Sequence, residues 1–353
     1  MKIRVGFLGA GFIARFHSKM LKGSGLDLEW SGVYDPEPDR AHAFFRATGA
    51  PPRPGPLEVI SGCDAVFVCT WTSEHRAAVE AACQMGRAVF CEKPLAPNLE
   101  DATAMCRAVE SAGVTNQVGL VLRYSPAFCW MSHLVSRSES GRVMGLVFRD
   151  DQYLPVQGMY GSRWRADAAK AGSGVLLEHS IHDLDMVEVL TSPVVRLSAM
   201  GQAMHGIEGI EDAVSVSFEL AAGGVGSLVT VWHDLLERPS LRRVEVICES
   251  LWCALEGDDW LGPVAWTAPG QAEQRLGGRE LAARVRELGL APENPDAAFL
   301  EAVAQRRPAR PDFADALRAH VVVDAAYRSV RLGGQPVEVP EGVPGLGRTG
   351  GRP

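Results

Sequence analysis

The short run Ile3-Arg4-Val5-Gly6-Phe7-Leu8 has strand character, and behind it stand Gly9-Ala10-Gly11-Phe12-Ile13-Ala14 and then a helical pattern. A strand, a glycine turn and a helix in that order constrain the fold strongly, because they are the opening unit of a parallel sheet that holds a dinucleotide. Gly9 permits the tight turn, Gly11 lets the backbone approach a pyrophosphate, and Ala14 lets helix and strand pack closely. The N–H groups at the helix start, carried by Phe12 and Ile13, attract the phosphates. The next apolar run, 28–34, ends at Asp35, where an acid is expected to bind the ribose hydroxyls. The competing reading is a strand-to-helix turn with no ligand. NAD is expected over NADP, since Asp35 would repel a 2′-phosphate; Arg40 is the residue that argues the other way.

Length and pattern give the organisation. With 353 residues, two domains are expected. Short apolar runs at 3–8, 28–34, 65–69, 88–91 and 114–120 read as strands buried on both faces. Helical patterns lie between them at 12–22, 37–48, 73–85 and 98–112. This is α/β, a doubly wound parallel sheet of the Rossmann type, over residues 1–122. After Arg123-Tyr124-Ser125-Pro126 longer strands dominate, at 143–153, 194–204, 213–220, 225–232, 242–248 and 251–256. Ala222-Gly223-Gly224 reads as a hairpin turn. A helical insert at 174–190 and closing helices at 299–304 and 314–330 complete an α+β substrate and oligomerisation domain over 123–340, an antiparallel sheet with helices on one face. A charged, weakly helical stretch covers 275–288, and 341–353 reads as a loose tail.

Charge and cysteine content exclude several partners. A formal net charge of −8 argues against nucleic acid or an anionic membrane surface, and no apolar stretch of about eighteen residues exists to span a bilayer. The basic and apolar opening is better read as the first strand than as a signal peptide. Eight cysteines occur without any Cys-x-x-Cys, several inside apolar runs. They read as reduced, buried thiols of a cytoplasmic protein, with no metal site. The broad second sheet suggests a homo-oligomer, dimer or tetramer.

Two constellations could do chemistry. Cys91-Glu92-Lys93-Pro94 follows the fourth strand at the carboxyl edge of the sheet, where ligands bind in such folds. Lys93 there can stabilise a developing alkoxide, or it is an ordinary loop lysine. The second is Gly172-Ser173-Gly174-Val175-Leu176-Leu177-Glu178-His179-Ser180-Ile181-His182-Asp183-Leu184-Asp185. Glu178 and His182 are four apart, a spacing that on a helix shares one face and suits an acid-tuned general base. His179 and Asp183 have the same spacing and compete with that pair. Thr70, Trp71 and His75 follow the third strand and read as cofactor-loop or structural residues, whereas His17, His42, His133, His205 and His320 show no acidic or cysteine cluster nearby in sequence.

Together these motifs resemble the Gfo/Idh/MocA family, named for glucose–fructose oxidoreductase, inositol dehydrogenase and a rhizopine-catabolism protein. The resemblance spans most of the chain, through Gly9–Ala14, Thr70-x-Thr-x-Glu-His75, Glu92-Lys93-Pro94, Gly119 to Pro126, Trp164-Arg165, Gly172 to Asp185, Ala316-Leu317-Arg318 and Ala326-Tyr327-Arg328-Ser329. It implies an NAD-dependent oxidoreductase acting on a secondary alcohol of a sugar, sugar derivative or cyclic polyol. In it Lys93, Glu178 and His182 surround the reacting carbon, and Glu92 and Lys93 border the cofactor. It also implies a cis Lys93–Pro94 bond. Arg123, Tyr153, Trp164, Arg165 and His233 are candidate substrate contacts. The family also contains NAD-dependent glycoside hydrolases and a non-catalytic cofactor sensor, which are the alternatives. Trp71 replaces the family's usual proline, and Glu178 its usual aspartate.

Overall fold

The computed structural model describes residues 2–291 and 294–343, so most of the tail expected at 341–353 lies outside the described residues. By packing, the chain divides into two compact units. The first comprises residues 1–120 together with 169–172 and 294–317; the second comprises 121–168, 173–293 and 318–353. The units therefore do not follow the chain order on which a boundary near residue 122 was expected.

The sheet of the first unit contains β1 (Ile3–Leu8), β2 (Leu28–Tyr34), β3 (Ala65–Val68), β4 (Ala88–Cys91) and β5 (Asn116–Val118), all parallel, in the order β2-β1-β3-β4-β5. Every residue of β3 and β4 is buried, which is why these strands read as unbroken apolar runs. Helices Phe12–Lys22, Pro38–Thr48, His75–Gln84 and Leu99–Ala112 form the expected crossovers. Pro56–Gly62 is an additional helix, too short to show a helical period in sequence. Aromatic rings fill the core: Phe67 stacks on Phe90 at 4.8 Å and on Phe7 at 5.2 Å. Phe299, from helix Pro295–Gln305, meets Phe67 edge-on at 5.7 Å. The late segment is also tied to β5, because Val118 donates to the carbonyl of Pro311 at 2.9 Å and Phe313 donates to the Asn116 side chain at 2.9 Å.

The second unit is built on nine strands: β6 (Val143–Tyr153), β7 (Val194–Gln202), β8 (Ala213–Leu220), β9 (Val225–His233), β10 (Leu241–Cys248), β11 (Trp252–Asp258), β12 (Gly262–Thr267), β13 (Gln274–Leu276) and β14 (Val337–Glu338). Their order is β13-β12-β11-β10-β6-β9-β8-β7-β14. The sheet is mostly antiparallel, as expected, with one parallel pair, β6 and β9, at its centre. The glycine turn at 222–224 does close a hairpin between β8 and β9, with Gly223 and Gly224 both at positive φ. Along β8 and β10 burial alternates, so one face is covered and the other open. Val147, Val225, Val229, Ile247 and Met200 are exposed on the open face. Registers place Ser215, Ser217 and Ser227 on that same face. The helical insert is two pieces, Val175–Glu178 and Ile181–Leu190. Pro126–Val135 is a helix that the strand-dominated reading of this region passed over, and the charged stretch at 275–288 resolves into the end of β13 and helix Gly278–Glu287. The eight cysteines are free thiols, seven of them buried and Cys129 partly so. No helix among the described residues is long and apolar enough to cross a membrane.

Candidate active site

In the first unit the chain steps from β1 outward to β2 and then returns to the other side of β1 for β3. The carboxyl ends of β1 and β3 therefore form the crevice where ligands settle in open parallel sheets. Gly9 lies there at φ +88°, and a Cβ on it would come within 2.4 Å of the Cys69 carbonyl oxygen, so only glycine lets the two strand ends meet. Gly11 begins helix Phe12–Lys22 with no side-chain cap, and a Cβ on Gly11 would meet nothing within 4 Å. The first-turn N–H groups thus border open space and suit an anion. Phe12 is half-exposed, Ile13 is partly covered, and Ala14 is fully buried against the sheet.

Asp35, at the end of β2, accepts from Ala10 N–H at 2.8 Å and from Glu37 N–H at 2.9 Å, which braces the glycine loop. Each carboxylate oxygen keeps a lone pair for a ribose hydroxyl. Arg40 pairs with Glu37 at 3.0 Å on the surface. The Thr70 hydroxyl, just beyond β3, is buried without a protein partner, as is that of Thr72. Trp71 carries the Lys170 ammonium over its ring at 4.7 Å. An uncapped helix start, a braced acid and an orphaned hydroxyl at the switch point fit a nicotinamide dinucleotide.

The Glu92-Lys93-Pro94 loop leaves β4 at the same edge of the sheet, and its Lys93–Pro94 bond is cis. His75 is buried, with Nδ1 3.1 Å from the Pro94 carbonyl and 3.2 Å from that of Leu95, and Nε2 3.3 Å from that of Thr70. Burial lowers its pKa, and its carbonyl contacts link the loop to the end of β3. Glu92 is buried too. One of its oxygens lies 2.8 Å from His17 Nε2, and the other accepts from Lys93 N–H at 3.2 Å. His17 Nδ1 faces Asp296 at 2.9 Å. Local sequence gave no sign of this cluster because its members lie 75 and 279 residues from His17.

In the second unit Glu178 is buried and accepts from Arg165 Nε at 2.6 Å, while the Arg165 guanidinium lies 4.7 Å over the Trp164 ring. His182 is buried in the first turn of Ile181–Leu190. The helix is interrupted at His179 and Ser180, so the shared-face argument for Glu178 and His182 does not apply to the observed backbone. Its cause is lateral pairing: His179 Nε2 meets Asp150 at 2.6 Å, and Ser180 donates to Thr230 at 2.6 Å. Asp183 pairs with Arg242 at 2.7 Å, and Arg242 also reaches Asp150 and Asp259. Burial, reinforced by the Asp150 charge, pushes Asp183 up to about 7. The sequence singled out His179 and Asp183 as a pair, and their partners Asp150 and Arg242 come from strands β6 and β10.

Of the candidate substrate contacts, Arg123 forms a two-pronged pair with Asp185 at 2.9 and 2.7 Å. His233 accepts from Leu235 N–H at Nδ1 and lies 3.4 Å from Asp151 at Nε2. Tyr153 is buried beside Tyr160, ring centres 5.6 Å apart. A hollow of about 820 Å³ bordered by Trp130, Leu134, Trp266 and Arg284 contains none of these residues.

Comparison with known proteins adds to this geometry. A profile described as "Oxidoreductase family, NAD-binding Rossmann fold" matches residues 3–120, and one for the GFO/IDH/MocA C-terminal domain matches 128–252. An inositol 2-dehydrogenase of Rhizobium meliloti (strain 1021) is 30% identical over 236 residues, covering 63% of this chain and 67% of that protein. A 1,5-anhydro-D-fructose reductase of Ensifer adhaerens is 30% identical over 239 residues, covering 65% and 68%. Among solved structures, a levoglucosan dehydrogenase in complex with NADH superposes with a TM-score of 0.83 at 20% identity, covering 96% of this chain and all of that one. An oxidoreductase domain protein from Kribbella flavida gives 0.85 at 21% identity, with 97% and 100% coverage. At those identities the structural likeness speaks for the fold.

Proposed function

Because the chain belongs to the Gfo/Idh/MocA family of NAD-binding oxidoreductases, we propose that it moves a hydride between NAD and a secondary alcohol carbon of a cyclic polyol, sugar or sugar derivative. The observation that carries this reading is the switch point of the parallel sheet, where the uncapped helix start, braced Asp35 and the unpartnered Thr70 hydroxyl stand at the carboxyl edge from which the Lys93 loop also leaves. Relatives named for inositol and anhydrofructose support the substrate class.

When bound, the nicotinamide supplies the two-electron acceptor. Lys93 binds the reacting hydroxyl oxygen and favours its ionised form, since a compact ammonium stabilises an alkoxide in a water-poor site. His182 takes the hydroxyl proton. Glu178, paired with Arg165, orients His182 or a substrate hydroxyl. Trp164 and Arg165 together offer an aromatic face and a fork of donors, which suits a sugar ring. Arg123, Tyr153 and His233 take secondary parts, since Arg123 is already occupied by Asp185 and His233 stands against Asp151. Eight free thiols support a cytoplasmic setting, and the open apolar and serine-lined face of β6 to β10 supports a homo-oligomer in which a second copy covers it.

The test is to incubate the protein with NAD and a panel of inositols, anhydrosugars and free sugars, then aryl glycosides, following reduced nicotinamide and released phenol together. Reduced cofactor accumulating in step with oxidised polyol is the expected result. Phenol release with no net reduction would replace the dehydrogenase by a hydrolase.

A further inference from the structure

His17 joins three separate stretches of the first unit: the helix behind the glycine fingerprint, the Glu92-Lys93-Pro94 loop, and the late helix Pro295–Gln305. We propose that His17 is a positioning residue, a doubly protonated imidazolium clamped between Asp296 and Glu92 that fixes the Glu92 carboxylate and, through it, the backbone of Lys93. The proposal rests on the reading of Lys93 as the residue that polarises the reacting oxygen.

The geometry requires the charge. A neutral imidazole has one N–H and one lone pair, so one ring nitrogen would point its lone pair at a carboxylate. Here both nitrogens face carboxylate oxygens at direct contact distance, 2.8 Å on the Glu92 side and 2.9 Å on the Asp296 side, and the ring is only 1% exposed. With both carboxyl groups ionised, both nitrogens are donors. Burial lowers the imidazole pKa, but the two carboxylates outweigh it and bring it to about 10. The same pairing, helped by Lys93, holds Glu92 below the ordinary carboxylate range against its own burial. The other ionisable groups close by, the Cys69 and Cys91 thiols, are pushed well up by burial and stay neutral. His75, whose own pKa is lowered by burial, also lies near Glu92, and the Phe90 and Phe67 rings pack on His17 at 4.9 and 5.7 Å between centres.

The clamp reaches the site through Glu92. Its second oxygen accepts the Lys93 N–H, and a Cβ on Gly119 would come within 2.6 Å of its first, so the carboxylate sits in a slot with one orientation. Asp296 is held in turn by the first turn of its helix, where Asn294 caps its N–H at 3.1 Å. A change at Asp296 is thereby transmitted to Lys93 without touching substrate or cofactor.

Two measurements test this on the full-length protein. With ¹⁵N-histidine labelling, assigned through His17→Gln, both ring nitrogens of His17 are expected to remain protonated at about pH 8.5, two units above an ordinary histidine; a neutral tautomer there would overturn the proposal. Asp296→Asn keeps the packing and removes one charge, so it is the variant to compare if His17→Ala fails to fold. After ¹³C reductive methylation, the Lys93 resonance, identified through Lys93→Met, should move in Asp296→Asn and in Glu92→Gln while surface lysines stay put. Turnover of the polyol found active in the panel should fall tenfold or more in kcat, with the Kd for NAD changed less than threefold. An unmoved Lys93 resonance with unchanged kcat would reduce His17 to a core residue. Should Lys93→Met itself retain turnover, the assignment of Lys93 fails, and the nitrogen spectra still decide whether the clamp is charged.

Discussion

At the scale of single residues, the sharpest expectations concern Lys93 and His182. Lys93→Met should lower kcat by about 10²–10⁴-fold while NAD affinity, measured by titration of bound cofactor, stays near its starting value, because the lost charge belongs to the reacting oxygen and not to the pyrophosphate cradle. His182→Ala should cost a similar factor and be partly restored by added imidazole; near-normal kcat in either variant would remove that residue from the chemistry. Glu178→Gln should also weaken its contact with Arg165, so a thermal shift is expected beside a milder loss of rate. The position of Lys93 was legible, because it follows a strand end at the carboxyl edge of a parallel sheet. His17 was not, because a lone histidine on a helix says nothing until Glu92 and Asp296 are brought to it from distant parts of the chain.

Among the elements, the turn after β1 is the least tolerant. Gly9→Ala would force a side chain into the positive-φ region and against the Cys69 carbonyl, so a stability loss of about 1–3 kcal/mol and a drop of tenfold or more in NAD affinity are expected from denaturation and binding titrations. Gly11→Ala should leave stability nearly unchanged, since its Cβ meets nothing, and yet hinder the approach of a pyrophosphate. Strands buried on both faces announced themselves as apolar runs, and the glycine fingerprint placed the first helix. Pro56–Gly62, β13 and β14 are too short for either period to show. The break at His179 and Ser180 was hidden for another reason: Asp150 and Thr230, which hold those side chains away from a regular helix, come from strands far along the chain.

For the molecule as a whole, pH and self-association give tests. His17, with its folded pKa raised to about 10, contributes stability that is complete below about pH 6.5 and is lost as pH rises toward 10. Asp183, raised to about 7, contributes stability that is complete below about 3.8 and is lost on the way to 7. Urea midpoints should accordingly decline from pH 7 to pH 9.5, and less steeply in Asp296→Asn than in the parent chain; an identical slope would contradict the assignment. Should a second copy cover the open face of the sheet, as proposed, Val229→Arg there will shift sedimentation toward monomer without unfolding the chain, and an unchanged sedimentation coefficient would overturn that reading. The late segment that completes the first unit has a consequence for biosynthesis. A ribosome delivers β1 to β5 long before it delivers Asp296, Phe299 and Pro311, so the nascent nucleotide-binding sheet waits with its aromatic core uncapped and His17 short of a counter-charge until some 190 further residues have been translated. Stalled or truncated chains ending before residue 294 should therefore be the ones that chaperones and proteases claim, and residues 294–317 are what makes the nucleotide-binding sheet durable.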